Sequence, residues 1–477
     1  MNWFNKHLSF KADLFVTLLN SLVVIGGVFI LNGLIARIHG LEVLGEFLLV
    51  KRTLTAVVGI LLIGMNVGLP NYLSRNFERS YGDSAIIIFI VITIPLTLLL
   101  IAGILWLNIS GFYSDYFWLY IIFTLGICSQ FITYGLYRGY MNMIGANFFQ
   151  LVGTAIIPII VFTMVADLYD GLYFMGSGVF IIMLFAYLMR NEGIHFHEIN
   201  YYQIIKIIKY GLVRIPSFIA QFILLAGIPI YLAQAVSFES VAYFSSSLSL
   251  VRLSLLIVNP IAMVLLPRIS NKIAGGLKED VAPIFNILLK AGIVFSVIGT
   301  TYCYIYAPFI LQTWLGEVSD AGINILRLAI LALPFYTFSG LTRSPIDAIS
   351  EKGYNSLIYG VAAISMIAII YIGNYLGYDL ITTALISFVI SHIIAALGGA
   401  LIIKKLYNYQ LWNFELSRDI ISSIIIMFAI HQLFSLLHFS AKLEFFTTSV
   451  AYATVGILIF KNVKTGWLAD LKSKIYA

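Results

Sequence analysis

Apolar residues fall along this chain in blocks of about 20, separated by short polar segments, and that is the length at which a helix crosses a hydrocarbon core of about 30 Å. The blocks lack the period-two alternation of a membrane barrel, so the pattern predicts helices. It predicts about fourteen spans, centred near Val24, Leu54, Ile94, Leu125, Ile156, Phe180, Phe222, Leu253, Phe295, Ile330, Ile364, Phe388, Met427 and Tyr452. The first block, about Ala12 to Ala36, is too long for the apolar region of a signal peptide and ends without a small-residue cleavage site, so it is expected to stay as an anchor.

Composition turns the pattern into a class. The chain is 61% hydrophobic and 10% charged, whereas soluble domains carry about 25% charged residues. An all-α polytopic membrane protein follows. The longest cytoplasmic connection, roughly Arg190 to Lys209, is too short for an extramembrane catalytic domain, so no enzyme is expected. Cys128 and Cys303 sit inside apolar blocks and read as packing residues. His195 and His197, with Glu192 and Glu198 nearby, do not complete the closed ligand set of a structural zinc site, so neither metal nor cofactor is expected.

Charge sets the orientation. The net charge of +6 is spread over short loops rather than gathered on one soluble face, which argues against nucleic acid as a partner. With the N-terminus (Lys6, Lys11) inside, Lys442 is the one base among the 28 Lys and Arg that falls in a far-side loop, where Asp115, Asp167, Asp170, Glu239, Glu317, Asp320 and Asp379 collect. This bias puts both termini in the cytoplasm. Arg37, Lys51, Arg52, Arg214, Arg252, Lys290 and Arg327 remain in or at the ends of the apolar blocks. An Arg at the centre of a span costs about 2.5 to 3.5 kcal/mol, so such residues usually face an interior cavity and mark a substrate path.

Two segments match at a constant offset of 197 residues: Leu41 to Phe47 aligns with Phe238 to Phe244, each is followed by a Leu-Pro pair (Pro70, Pro267), and Arg75 aligns with Lys272. The repeat pairs the second span with the eighth, so six spans form the unit. An even repeat enters the membrane in one direction and predicts two pseudo-symmetric six-helix lobes facing a cleft. The N-lobe is expected over 1–195 (spans one to six), the C-lobe over 200–405 (spans seven to twelve), an accessory hairpin over 418–461, and a cytoplasmic tail over 462–477.

Polar stripes mark the cleft faces. On the eighth span Ser245, Ser249, Arg252 and Asn259 share one helical face, and on the second span Arg52, Thr55, Gly59 and Asn66 do the same. Arg214, Ser217 and Gln221 begin a stripe on the seventh span, which the offset maps onto Thr17 and Asn20 of the first, with Asn32 further along. Arg252 lies deepest and has no acid within a helical turn; Arg52, Lys51 and Lys290 come next, and together they read as an anion site. Arg214, Arg327 and Arg37 lie nearer span ends, where a snorkelling anchor is an equal reading. Glu42 and Glu239 open repeat-related helices, and the helix dipole accounts for them.

The stretch Asn32 to Gly40, with Leu44-Gly45-Glu46-Phe47 and Gly68-Leu69-Pro70-Asn71-Tyr72, resembles the N-terminal signature of polysaccharide exporters of the multidrug/oligosaccharidyl-lipid/polysaccharide superfamily, and of their O-antigen flippase branch in particular. Tyr210 to Pro216, Leu266 to Ser270, and Ala307 to Leu311 with Leu315-Gly316 are also similar to that family; His39 departs from its usual Leu. The resemblance implies an inner-membrane flippase for an undecaprenyl-pyrophosphate-linked glycan, with membrane lipids and the polymerase and chain-length machinery as partners. Unpaired Arg and Lys suit a pyrophosphate through charge-assisted bonds. A lipid II-type flippase and a multidrug exporter of the same superfamily are the near alternatives, and a membrane O-antigen polymerase the distant one. No Walker A motif is present to supply energy from ATP.

Overall fold

The computed structural model describes residues 10–76, 80–188, 200–254, 281–349, 353–407, 414–436, 443–452 and 454; among them there are helices and turns and no strand. Ten of these helical stretches are long and apolar enough to cross a membrane, and a pair bent by 76° between Ile305 and Ala307 passes the same test together, either as a broken eleventh span or as a re-entrant loop. The protein is an all-α polytopic membrane protein, but the fourteen expected spans are not reached among the described residues. The second apolar block is a broken helix, and the eighth and fourteenth run into residues outside the description. The chain forms two compact units, Met1–Ser246 with Trp314–Gly316, and Ser247–Thr313 with Glu317–Ala477.

The first unit opens with α1 (Phe10–His39) and α2 (Leu41–Ala56), which pack on each other after a turn at Gly40. The second block was expected to be a single helix, and it breaks twice. A turn at Val57 separates α2 from the short α3 (Val58–Leu61), and left-handed residues Ile63 (φ 44°) and Gly64 (φ 66°) separate α3 from α4 (Met65–Asn76). A β-branched residue in that conformation costs about 1 to 3 kcal/mol and persists only where its surroundings impose it. Here the surroundings are the junction of α11 (Tyr201–Leu212) and α12 (Ile215–Ala235): a Cβ on Gly211 would stand 1.7 Å from the Ile63 carbonyl oxygen. Pro70, expected to close the span, lies inside α4.

The repeat partner of α2 is α13 (Phe238–Arg252), and its regular helix also stops, in a turn at Leu253 and Ser254 held by bonds to the carbonyls of Leu250 and Val251 (3.0 and 3.4 Å). The offset of 197 places that turn on Ala56 and Val57, where α2 ends. Pro267 and Lys272, which carry the rest of the repeat, lie outside the described residues, as do Pro260 and the His195 and His197 pair.

Between these helices lie α5 (Ser80–Ile88), α6 (Ile94–Trp106), α7 (Phe117–Gly139), α8 (Met143–Leu151), α9 (Ile157–Met164) and α10 (Leu168–Leu188), with α7 packed against α4, α6, α8 and α10 at the centre. Pro95 and Pro158 each follow a π turn, 89–93 and 152–156, which joins α5 to α6 and α8 to α9 as continuous spans. A proline cannot donate to the carbonyl four residues back, and the wider turn accommodates the missing bond.

The second unit contains α14 (Val281–Ile305), α15 (Ala307–Leu315), α16 (Asp320–Ile330), α17 (Leu333–Ile349), α18 (Tyr354–Tyr375), α19 (Leu380–Tyr407) and α20 (Phe414–Leu436). Helix α19 packs on α16, α17 and α18, and α14 packs on α17 and α20. The hairpin of α20 and the helix over 443–452 is joined to the bend that follows α14. Tyr306 at that bend shares its hydroxyl with Thr448 (2.9 Å), Glu444 (3.3 Å) and His431 (3.3 Å), while Val294, Ile298, Met427 and Tyr452 form the apolar core beneath.

Candidate anion site

Lys51 and Arg52 are consecutive on α2, so their side chains leave the helix about 100° apart and meet different surroundings. The Lys51 ammonium has less than 1 Å² accessible and no hydrogen-bond partner among the described residues; it lies 5.1 Å from the centre of the Phe47 ring, one turn back. The face of Phe47 supplies a weak cation–π attraction of about 0.5 to 2 kcal/mol, against several kcal/mol to take an ion out of water. Arg52 instead donates from Nη2 to the main-chain carbonyl of Ser245 on α13. The two repeat-related helices also touch at their starts, where a Cβ on Gly45 would fall 1.8 Å from the Phe238 carbonyl oxygen.

Asn32 sits in the middle of the first span and is fully buried, and neither atom of its amide has a hydrogen-bond partner among the described residues. Each such group costs about 1 to 3 kcal/mol. The α1–α2 pair thus carries one sealed cation, one cation anchored by a carbonyl, and one unsatisfied amide. A ligand with anionic oxygens would offset the cost at Lys51 and accept from a donor such as the Asn32 Nδ2, while the Asn32 Oδ1 would need a donor.

Other predicted residues are placed as follows. Asn20 donates to Gln150 Oε1 (3.2 Å), and Gln221 donates to Ser217 Oγ (3.0 Å), with Ser217 buried on α12. Ser245 is fully buried, and Ser249 is half-buried one turn on. Thr55 is half-buried at the end of α2, and Asn66, on the far side of the Ile63–Gly64 turn, keeps a buried amide oxygen without a partner. The expected stripe from Arg52 to Asn66 is therefore cut by the two breaks, and Gly59 within it packs on the Phe218 ring. Asn259 lies outside the described residues.

The cations divide as well. Arg252, expected deep in an unbroken span, is the exposed last residue of α13, and Lys290 is half-buried on α14 with interactions of its own; both belong to the second unit. Arg214 lies over the Tyr210 ring at 3.7 Å and donates to the Tyr210 carbonyl (3.0 Å). Arg327 donates to the Tyr304 carbonyl (3.2 Å) beside that ring, and Arg37 is exposed in the last turn of α1. Arg214 and Arg327 thus rest on a neighbouring aromatic ring and main chain, as anchors at span ends do.

A polar seam in the first unit was not foreseen. Asn147 donates to Thr17 (3.1 Å), Gln150 receives Asn20, and Gln130 of α7 donates to Thr154 (2.7 Å). Asn147, Gln150 and Thr154 fall at i, i+3 and i+7, a helical face that was legible in the sequence but carries no charge to draw notice.

No protein-family model and no curated protein sequence matches this chain. Among solved structures it is similar to the lipid II flippase MurJ in an inward closed conformation, with a TM-score of 0.66 and 15% identity over 96% of this chain and 99% of that one. It is similar also to an inward-facing multidrug resistance MATE family transporter of the MOP superfamily, with a TM-score of 0.59 and 15% identity over 82% of this chain and 96% of that one. The bent form of the Vibrio cholerae MATE transporter VcmN gives a TM-score of 0.53 and 14% identity over 83% and 97%. The chain has the all-helical membrane-transporter fold that these proteins share.

Proposed function

We propose that the protein is a flippase that moves an undecaprenyl-pyrophosphate-linked O-antigen repeat unit from the cytoplasmic to the periplasmic leaflet of the bacterial inner membrane, with both termini cytoplasmic. The observation that carries this reading is the ammonium of Lys51, sealed and with no hydrogen-bond partner among the described residues. A buried cation without a counter-charge is costly, and a pyrophosphate is an anion that would relieve it. Arg52, Arg252 and Lys290 are the further cations proposed to meet the same anion as the lobes alternate in access, while the polar side chains serve the sugars. The resemblance of Asn32 to Phe47 to polysaccharide exporters selects the O-antigen substrate within the superfamily. Cargo of the opposite sign, as many drug exporters carry, would meet Lys51 and Arg52 unfavourably.

Reconstitution with a pyrophosphate-linked polyprenyl glycan and a leaflet-accessibility readout tests the reading. The wild type is expected to expose the glycan on the far side, and Lys51→Ala and Arg252→Ala to abolish this while leaving folded protein. Full translocation by both variants would sink the assignment. Complementation of strains lacking either an O-antigen flippase or a lipid II flippase separates the two cargoes.

A further inference from the structure

Helix α11 has 12 residues, too few to cross a membrane by itself, and it carries apolar side chains on its exposed side as well as its buried one. One face, Gln203, Ile207 and Gly211, is buried against α4 and α5. At about 100° per residue the opposite face presents Tyr201, Tyr202, Ile205, Lys209 and Leu212, continued by Val213. Tyr201 is 73% exposed and Val213 75%, and Tyr202, Lys209 and Leu212 are exposed beside them. The helix contains two lysines and no acid. Aromatic and aliphatic residues interspersed with lysine suit a helix lying in the headgroup region, with its apolar side chains toward the acyl chains.

Lys206 marks one margin of that face. Its ammonium lies 5.0 Å from the Tyr72 ring centre and 6.0 Å from that of Tyr202, and donates to the Tyr81 hydroxyl at 3.5 Å. Tyr72 stacks on Tyr81 (5.4 Å, 6°) and meets Tyr210 edge-on (5.5 Å), so α4, α5 and α11 together build a rigid aromatic cradle. Among the described residues no carboxylate pairs with Lys206, and the Tyr81 hydroxyl holds its ammonium above the usual lysine range. The cradle fixes the direction of the cation while leaving donors unused. Arg214, over Tyr210, adds a second positive charge just past the C-terminal end of the helix.

We propose that α11 is an interfacial helix whose Lys206, braced by Tyr72, Tyr81 and Tyr202, binds the phosphate of an anionic phospholipid headgroup. Exposed tyrosines and a half-buried lysine suit a membrane surface, where rings occupy the headgroup layer and each base adds attraction to anionic lipid. This lipid site does not depend on the identity of the cargo.

The test uses full-length protein in nanodiscs of phosphatidylcholine with and without phosphatidylglycerol, with retained lipid counted by native mass spectrometry. Lys206→Gln is expected to lower the apparent affinity for phosphatidylglycerol about fivefold, Lys206→Arg to keep it, and Lys209→Gln, outside the cradle, to lower it less. Unchanged retention by Lys206→Gln, or equal competition by inorganic phosphate, would overturn the assignment. On the wild type, a headgroup-photoreactive phosphatidylglycerol should label residues 201–214, and labelling confined to other segments would also overturn it.

Discussion

Helices α2 and α13, which the offset of 197 residues aligns, end at corresponding turns and touch at their N-terminal starts, yet they treat their charges in opposite ways. In α2 the Lys51 ammonium is sealed from solvent, and Arg52 is tied to the Ser245 carbonyl. In α13 the positions matching Lys51 and Arg52 are Leu248 and Ser249, and the cation appears three residues later, as exposed Arg252 at the helix end. Aligned helices can share backbone geometry, while the cost of a charge depends on what surrounds it. Position alone made Arg252 look the more deeply buried; packing makes Lys51 so.

The contrast has sharp consequences. Lys51→Met should remove transport of a pyrophosphate lipid below detection while raising the stability of the substrate-free protein by about 1 to 3 kcal/mol, because an unpaired buried charge is replaced by apolar volume. Thermal melts in detergent alongside the leaflet-accessibility assay check both halves. A Lys51→Met protein less stable than wild type would mean that the ammonium has a partner in the resting state. Arg252→Ala, at an exposed position, should shift stability by no more than about 0.5 kcal/mol while abolishing transport. Retained transport there would confine the anion site to α2.

Smaller effects probe the backbone that sets up the comparison. Gly211→Val should cost about 1 to 3 kcal/mol, since the Ile63 carbonyl occupies the space its Cβ needs, and it should loosen the break after α3; hydrogen exchange over 57–64 reads this directly. Tyr306→Phe removes the hydroxyl shared by Thr448, Glu444 and His431, and should cost about 1 kcal/mol at the bend after α14 while leaving α2 untouched. Smallest is the cap of α19, where the Thr382 side chain, and after it the Thr382 N–H donating to Asp379 at 2.7 Å, hold the Asp379 carboxyl below the usual carboxylate range. A folded-state value below the unfolded one stabilises above about pH 4 and is lost as pH falls further, so Asp379→Ala should cost about 0.5 to 1 kcal/mol at neutral pH and little in acid.

Much of the fold was legible. Ten of the expected spans coincide with helical stretches long enough to cross and the ninth with the bent pair, because a 20-residue apolar block has few options in a bilayer but to become a helix. The breaks in the second block were less legible. Gly59, Gly64 and Gly68 lie there, but the left-handed residue before Gly64 is Ile63, which no local preference would place so. At the site, Arg52 and Ser245 were each marked as polar positions on separate stripes, and the bond between them depends on a crossing of helices 193 residues apart in sequence.

The sequence by itself determined the class, the helical architecture and the presence of cations within apolar blocks that hold few acids. Those properties depend on residue type and spacing along the chain. Only the tertiary structure decided that the Lys51 ammonium is sealed with no hydrogen-bond partner among the described residues, that Arg52 is held by a carbonyl of α13, that Arg252 stands exposed at a helix end, and that Lys206 rests in a tyrosine cradle. Desolvation and hydrogen bonding depend on neighbours distant in sequence, and spacing along one helix carries no information about which neighbour arrives.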